Sequence, residues 1–153
     1  MQTRVSTTLQ ETEAFFHRLI PITRAMGIRV VAFDGQQLTI EAPLALNHNH
    51  LGTAFGGSLN AIATLAGYGW VWLEVQDPAC HVVVRDSAIK FRRPVRHDIR
   101  AICRRPEESM VSAFRDGYLQ KGKGRMKLDV TIEDDGLVAV EFVGTFVATT
   151  EVG

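Results

Sequence analysis

The chain carries no excess charge of either sign, few cysteines and no clean membrane-length apolar run. Its 153 residues hold 17 lysines and arginines against 17 aspartates and glutamates. Without a net field there is no electrostatic reason to expect a nucleic-acid partner. The two cysteines, Cys80 and Cys103, fall in separate strand-like segments without metal-ligand spacing, and read as reduced core or sheet residues rather than a disulfide. The polar stretch Met1 to Glu13 has no apolar run before a small-residue cleavage site, so no secretion signal is expected. Repeats, low-complexity tracts and linkers are also missing, and the length is most simply one domain spanning 1–153 with a real core. Leu59 to Val75 approaches membrane-spanning length. It nevertheless contains Asn60, Thr64, Gly67 and Gly69, ends at Glu74 and lacks a basic flank, so it reads as a buried core helix. A soluble, cytoplasmic protein with no membrane partner is the expectation.

What is present has a legible order. Thr8-x-x-Glu11 is a capping-box pattern, followed by Phe15, Phe16, Leu19 and Ile20 on one helical face and ended by Pro21. Gly27 to Phe33 and Gln37 to Ala42 are strand candidates around the hairpin signal Asp34-Gly35. Pro43 to Phe55 forms an irregular loop before the long apolar helix, which should stop by Asp77-Pro78. His81 to Phe91 and Asp98 to Arg104 read as strands joined through Arg93-Pro94, and Pro106 to Tyr118 as a short helical or irregular insertion. Arg125 to Glu133 alternates with period two, placing Met126, Leu128, Val130 and Ile132 on one face. Asp134-Asp135-Gly136 then turns into a last strand, Leu137 to Thr149. Strands following one another by hairpins imply an antiparallel sheet, and a helix apolar nearly all round must be covered on most sides. A curved sheet wrapped around that helix meets both demands. It also leaves edge strands, which pairing across a twofold axis would protect.

The most informative segment is 49–58, Asn-His-Leu-Gly-Thr-Ala-Phe-Gly-Gly-Ser, opening directly into the long helix. Gly56-Gly57 at a helix start lets a ligand approach the backbone, because no Cβ stands in the way. The unpaired N–H groups of a first helical turn, with the helix dipole, suit an oxygen that gains negative charge. A carbonyl attacked by water gains such charge. The same glycines would equally allow a buried helix to pack tightly, and both readings stand on the glycines alone.

The order of elements and the Asn-x-x-Gly-x-x-Phe-Gly-Gly elbow resemble the hot-dog fold acyl-CoA thioesterases. Asn49, Gly52, Gly56 and Gly57 match an elbow that in several branches has histidine where Phe55 stands. A closer resemblance is to the thioesterase-like domain named after the C-terminal half of YiiD. It is carried by Ile20-Pro21, Met26-Gly27, Ala42-Pro43-Leu44, Asn47-x-Asn49, Thr53-x-Phe55-Gly56-Gly57-Ser58-Leu59 and Leu65-Ala66-Gly67-Tyr68-Gly69. The resemblance implies an α+β hot-dog fold, a homodimer or dimer of dimers, and hydrolysis of a coenzyme A or acyl-carrier-protein thioester. Coenzyme A would then be part of the substrate, with no further cofactor. Better-studied relatives carry Asp or Glu on the helix seven residues after the second glycine, where this chain has Thr64. Threonine is no general base near neutral pH, though it can orient a water.

Several other residues are candidates beside that elbow. Asn60 and Thr64 share a helix face with Gly57 above and Tyr68 below. Asn49 either holds its loop by an Asx-type turn or polarises water or carbonyl; the family pattern points to the second. Asp86, alone among the valines of its strand, is a candidate base, and period two would put it with Val84, Ala88 and Lys90. His48 and His50 lack further ligands at metal spacing, so no metal is expected, and His50 is a lesser candidate base. Lys90, Arg92 and Arg93 open a basic segment running to Arg105 that would suit coenzyme A phosphates. That segment lacks the interleaved aromatics of a single-strand binder, so no nucleic acid is expected. The expected site therefore has Asn49, Gly57, Thr64 and Asp86 in catalysis, and His50, Phe55, Gly56, Ser58, Asn60, Tyr68, Lys90, Arg92 and Arg93 in binding. A dehydratase or hydratase on acyl thioesters and a non-catalytic acyl-thioester binding module are the alternatives.

Overall fold

Thr8 caps the first helix. Its hydroxyl accepts the Glu11 N–H and its own N–H reaches the Glu11 carboxylate, both at 3.1 Å, closing the expected capping box. The computed structural model describes residues 8–151, so the first half of the polar N-terminal stretch, residues 1–7, lies outside the described residues. Helix α1 covers Leu9–Leu19 and α2 covers Pro21–Ala25, with Pro21 at its first turn. Phe16 is fully buried and Phe15 stacks on Trp72 at 4.2 Å, but Leu19 is 57% exposed. The apolar face of α1 thus ends a turn earlier than its sequence suggests.

Strands β1 (Arg29–Phe33) and β2 (Gln37–Ala42) form the expected hairpin, followed by a 3-10 turn at Leu44–Leu46 and the long helix α3 (Gly56–Val75). Then come β3 (His81–Phe91), β4 (Ile99–Arg104), α4 (Glu108–Lys121), β5 (Lys123–Asp134) and β6 (Leu137–Thr149). The insertion expected to be short is thus a 14-residue helix, which packs on β5. Among the described residues one antiparallel sheet forms in the order β1-β2-β4-β5-β6-β3. Consecutive β3 and β4 are not neighbours, contrary to a simple run of hairpins. The segment between them crosses the sheet end: Arg92 and Arg93 donate their N–H groups to the Ala139 carbonyl, and Val95 is fully buried. This crossover leaves β3 as a free edge 11 residues long.

Helix α3 packs on five of the six strands. Ile62, Ala66, Trp70 and Val71 are fully buried, with Leu59, Leu65 and Leu73 nearly so. At about 1.5–3 kcal/mol for each large apolar side chain removed from water, this helix anchors the fold. Gly67 makes the close approach possible, because a Cβ there would run into the ring of buried Phe146. No helix among the described residues is long and apolar enough to cross a membrane. Cys80 and Cys103 are buried free thiols.

The crossover is tied down at its far end by His97, which donates from Nδ1 to Asp134 at 2.9 Å, with Asp135 at 3.9 Å. These three groups also have the spacing of metal ligands, yet Asp134 is already occupied by His97 and by the Arg96 N–H. The hydrogen bond to Asp134, reinforced by the two carboxylate charges, raises the His97 pKa above its ordinary 6.5. Burial opposes ionisation of Asp134, but the Arg96 N–H and then the His97 ring hold its pKa below the ordinary 3.8. Stability from His97 is therefore full below 6.5 and lost as pH rises through the raised value, while that from Asp134 is lost as pH falls through the lowered one. His97→Gln should lower the melting temperature most between those limits and least at alkaline pH. Thermal melts across pH check this, and a pH-independent loss would contradict the pairing.

Candidate active site

The start of α3 is an uncapped set of donors. Phe55 is the N-cap residue and offers no side-chain hydrogen bond to the first turn. Its own N–H goes to the Asn47 carbonyl, and the Leu59 N–H is the first to find a helical acceptor, Phe55 O at 3.0 Å. The N–H groups of Gly56, Gly57 and Ser58 make no hydrogen bond among the described residues. The Phe55 ring is 56% exposed and lies over Gly57, whose Cβ, were there one, would stand 2.5 Å from ring Cε1. On the other side, a Cβ on Gly56 would meet the exposed Phe91 ring at 3.7 Å. The glycine pair is thus flanked by two aromatic rings, Phe55 over Gly57 and Phe91 beside Gly56.

From Gly57 a cavity of about 500 Å³ runs along α3 past Asn60, Ala61, Thr64 and Leu65 to Tyr68. Its opposite wall is Ile20, Ile22, Thr23, Met26 and Ile28 from α2 and its flanks, with Ser87 from β3. Tyr68 is half-buried, edge-on to Phe16 at 5.9 Å, and burial raises its phenol pKa. The Thr64 hydroxyl donates to the Asn60 carbonyl at 2.8 Å, which commits its proton and leaves its lone pairs to accept. The structure therefore gathers Gly57, Asn60, Thr64 and Tyr68 in one cavity, with the Phe55 ring over Gly57, while Gly56 and Ser58 flank Gly57 in the first turn without lining the space.

Other candidates lie elsewhere. The Asn49 carboxamide is engaged in its own loop: Oδ1 accepts from Leu51 N and Thr53 N, and Nδ2 donates one of its two hydrogens to Thr53 Oγ1 at 2.8 Å. It holds the loop, the reading that the family pattern had placed second. Asp86 is turned away by a β-bulge. The ladder to β6 pairs Val84 with Phe146 and then Asp86 with Thr145, so Arg85 is the extra residue. After the bulge Ser87, opposite Gly144, faces α3, while Asp86, Ala88 and Lys90 face the far side of the sheet. The Asp86 side chain is 67% exposed beside Arg85, so period two misplaces it. Lys90 lines a shallow hollow on that far face, and Arg92 pairs with Glu141 at 3.0 Å. Arg93 is exposed two residues beyond Phe91, and no ion pair holds it among the described residues. His48 and His50 are exposed on the loop, with the His48 Nδ1 2.9 Å from the Asn49 carbonyl.

Sequence reasoning missed two parts of this cavity. Its apolar wall includes Ile20 and Met26, which stand in the family-like pattern but gave no chemical signal. Ser87 was hidden by the bulge, which shifts the phase of the strand without any mark in composition.

Residues 9–150 match the family described as "Putative thioesterase (yiiD_Cterm)". A Chlorobaculum tepidum protein of unknown function is 34% identical, with a TM-score of 0.89 over 95% of this chain and 99% of that one. A thioesterase-like protein of Shewanella oneidensis, described as a putative thioesterase, is 32% identical with a TM-score of 0.82, covering 92% and 96%. A Pseudomonas aeruginosa protein at 23% identity shares the fold, with a TM-score of 0.80 over 96% and 99%.

Proposed function

The chain belongs to the putative thioesterase family of the YiiD C-terminal domain, a set of hot-dog proteins, and from that premise we propose that it hydrolyses acyl thioesters with an activated water. The observation that carries this reading is the uncapped first turn of α3 opening on an apolar cavity. The acyl group enters along α3, and the thioester carbonyl points its oxygen at the Gly57 N–H. Water attacks the carbonyl carbon, the oxyanion is held by N–H groups of the first turn, and collapse breaks the C–S bond to release the thiol. Thr64, about two helical turns beyond Gly57, acts on the attacking water through an intervening water whose hydrogen bond its hydroxyl accepts. The attacking water's proton passes to a histidine of the loop before α3, His48 or His50, because Asp86 faces away, and from that imidazole to the departing sulfur. The carrier, coenzyme A or an acyl-carrier protein, leaves between Phe55 and Phe91, with Arg93 near enough in the chain to meet its phosphate. The two buried free thiols suit a reducing cytoplasm.

We place a second copy of the chain on the β3 edge, as a homodimer or dimer of dimers. That edge is unpaired and carries Val83, Val84 and Phe91 at 53%, 41% and 53% exposure. Sedimentation should show a dimer or larger at micromolar concentration, and a stable monomer would contradict it.

Within the site, Thr64→Ala should lose about tenfold or more in kcat while Thr64→Ser keeps most of it. Asp86→Asn should leave turnover unchanged. Loss of turnover in Asp86→Asn with ligand binding intact would restore the carboxylate as base. One observation favours a second reading: among the described residues no carboxylate or imidazole lines the cavity. That weighs against a dehydratase, whose histidine and carboxylate would both act inside the cavity; because the loop histidines also stand outside this lining, it favours as well a module that binds acyl thioesters without cleaving them.

A further inference from the structure

The cavity is apolar except at a few points, and those points differ in a telling way. The hydroxyls of Thr23 and Thr64 are satisfied internally, donating to Ile20 O and Asn60 O at 2.8 Å. Deeper along α3 the Tyr68 hydroxyl makes no hydrogen bond among the described residues, and nearer Gly57 neither do two other groups that line the space, the Asn60 carboxamide and the exposed Ser87 hydroxyl. A saturated acyl chain would strip water from both groups and give nothing back, which is the costly way to bury a polar side chain. An acyl group bearing an oxygen at that depth would satisfy them.

The depth is set by the helix. Asn60 follows Gly57 by three residues, about 4.5 Å along the axis at 1.5 Å per residue, whereas Thr64 lies about 10 Å along. With the thioester carbonyl at Gly57, two carbon–carbon bonds of about 1.5 Å lead to the β-carbon, and its oxygen stands about 4 Å from the carbonyl carbon. A substituent on the α-carbon falls short of Asn60, and substituents farther down the chain pass it. Asparagine both donates and accepts, so a hydroxyl or a keto oxygen serves, and the Ser87 hydroxyl can meet the same oxygen from β3.

We propose that the cavity selects acyl thioesters with a hydroxyl or keto oxygen on the β-carbon, with Asn60 as the specificity-determining residue and Ser87 as its partner across the cavity. This rests on the thioester standing at Gly57 as proposed above. The β-bulge at Arg85 then has a purpose, since it is what turns Ser87 inward.

The test is a matched pair of substrates, a 3-hydroxyacyl-CoA and the saturated acyl-CoA of equal length. The wild-type chain should favour the hydroxylated one in kcat/KM by about tenfold or more, the scale of one net hydrogen bond. Asn60→Leu should bring the ratio near one, and Ser87→Ala should reduce the ratio partway. A wild-type ratio near one overturns the proposal. So does an Asn60→Leu variant that slows both substrates by one factor, because Asn60 would then act at the reacting carbonyl. Should neither substrate be hydrolysed, the corresponding thioether pair is titrated calorimetrically against the wild-type chain. A tenfold difference in Kd upholds the selectivity while hydrolysis fails, and equal Kd values overturn the selectivity itself.

Discussion

Gly57→Val is expected to lower kcat by at least about a hundredfold, the scale of losing one oxyanion donor. A side chain at this position does two things. Its Cβ takes space that the Phe55 ring occupies, 2.5 Å from ring Cε1, and its methyl groups then cover the N–H that would face the carbonyl oxygen. Phe55 is exposed and can swing aside, so the clash is relieved cheaply, whereas the covered N–H is not. The double variant Phe55→Ala/Gly57→Val separates the effects: it restores space for the side chain and should stay inactive. Phe55→Ala alone should mainly raise KM. Full turnover in a folded Gly57→Val variant would remove the α3 N terminus from the mechanism.

The second large effect concerns stability. Glu74, in the last turn of α3, has a side chain only 6% exposed and is held by Arg105 at 3.0 Å and by Arg115. Arg105 is itself 18% exposed, reaches Glu108 at 3.2 Å and lies 5.7 Å from the centre of the Trp70 ring. Removing Arg105 would leave the buried carboxylate with a single partner, and breaking a buried pair in this way costs about 3 kcal/mol. Arg105→Ala should show that loss in urea unfolding. Glu74→Leu/Arg105→Met, which removes both charges and keeps the volume, should recover most of it. A loss below about 1 kcal/mol for Arg105→Ala would mean that Arg115 and solvent suffice, as at a surface pair.

The elements that sequence reveals well are those whose pattern is local. The capping box at Thr8, the hairpin at Asp34-Gly35, the alternation of β5 and the apolar run of α3 each announce themselves over a few residues. The crossover of β3 to the far edge does not, because pairing partners are set by where a chain can return, and no short signal marks that. The site divides in the same way. Gly57, Asn60, Thr64 and Tyr68 meet because helical spacing brings them together, and the sequence carries that spacing in full. Asp86 and Ser87 depend on strand phase, and one bulged residue, Arg85, exchanges their faces. Asn49 was ambiguous because an asparagine that closes a loop and one that polarises a carbonyl look alike until their hydrogen bonds are seen.

Thioester cleavage at the head of α3 is tested most directly by incubating the purified chain with a panel of acyl-CoA substrates and following free thiol release in the steady state. The expected result is saturable turnover in the wild-type chain that disappears with Gly57→Val and survives Asp86→Asn. Acyl-CoA binding with no thiol released by the wild-type chain would contradict hydrolysis and leave a binding module in its place.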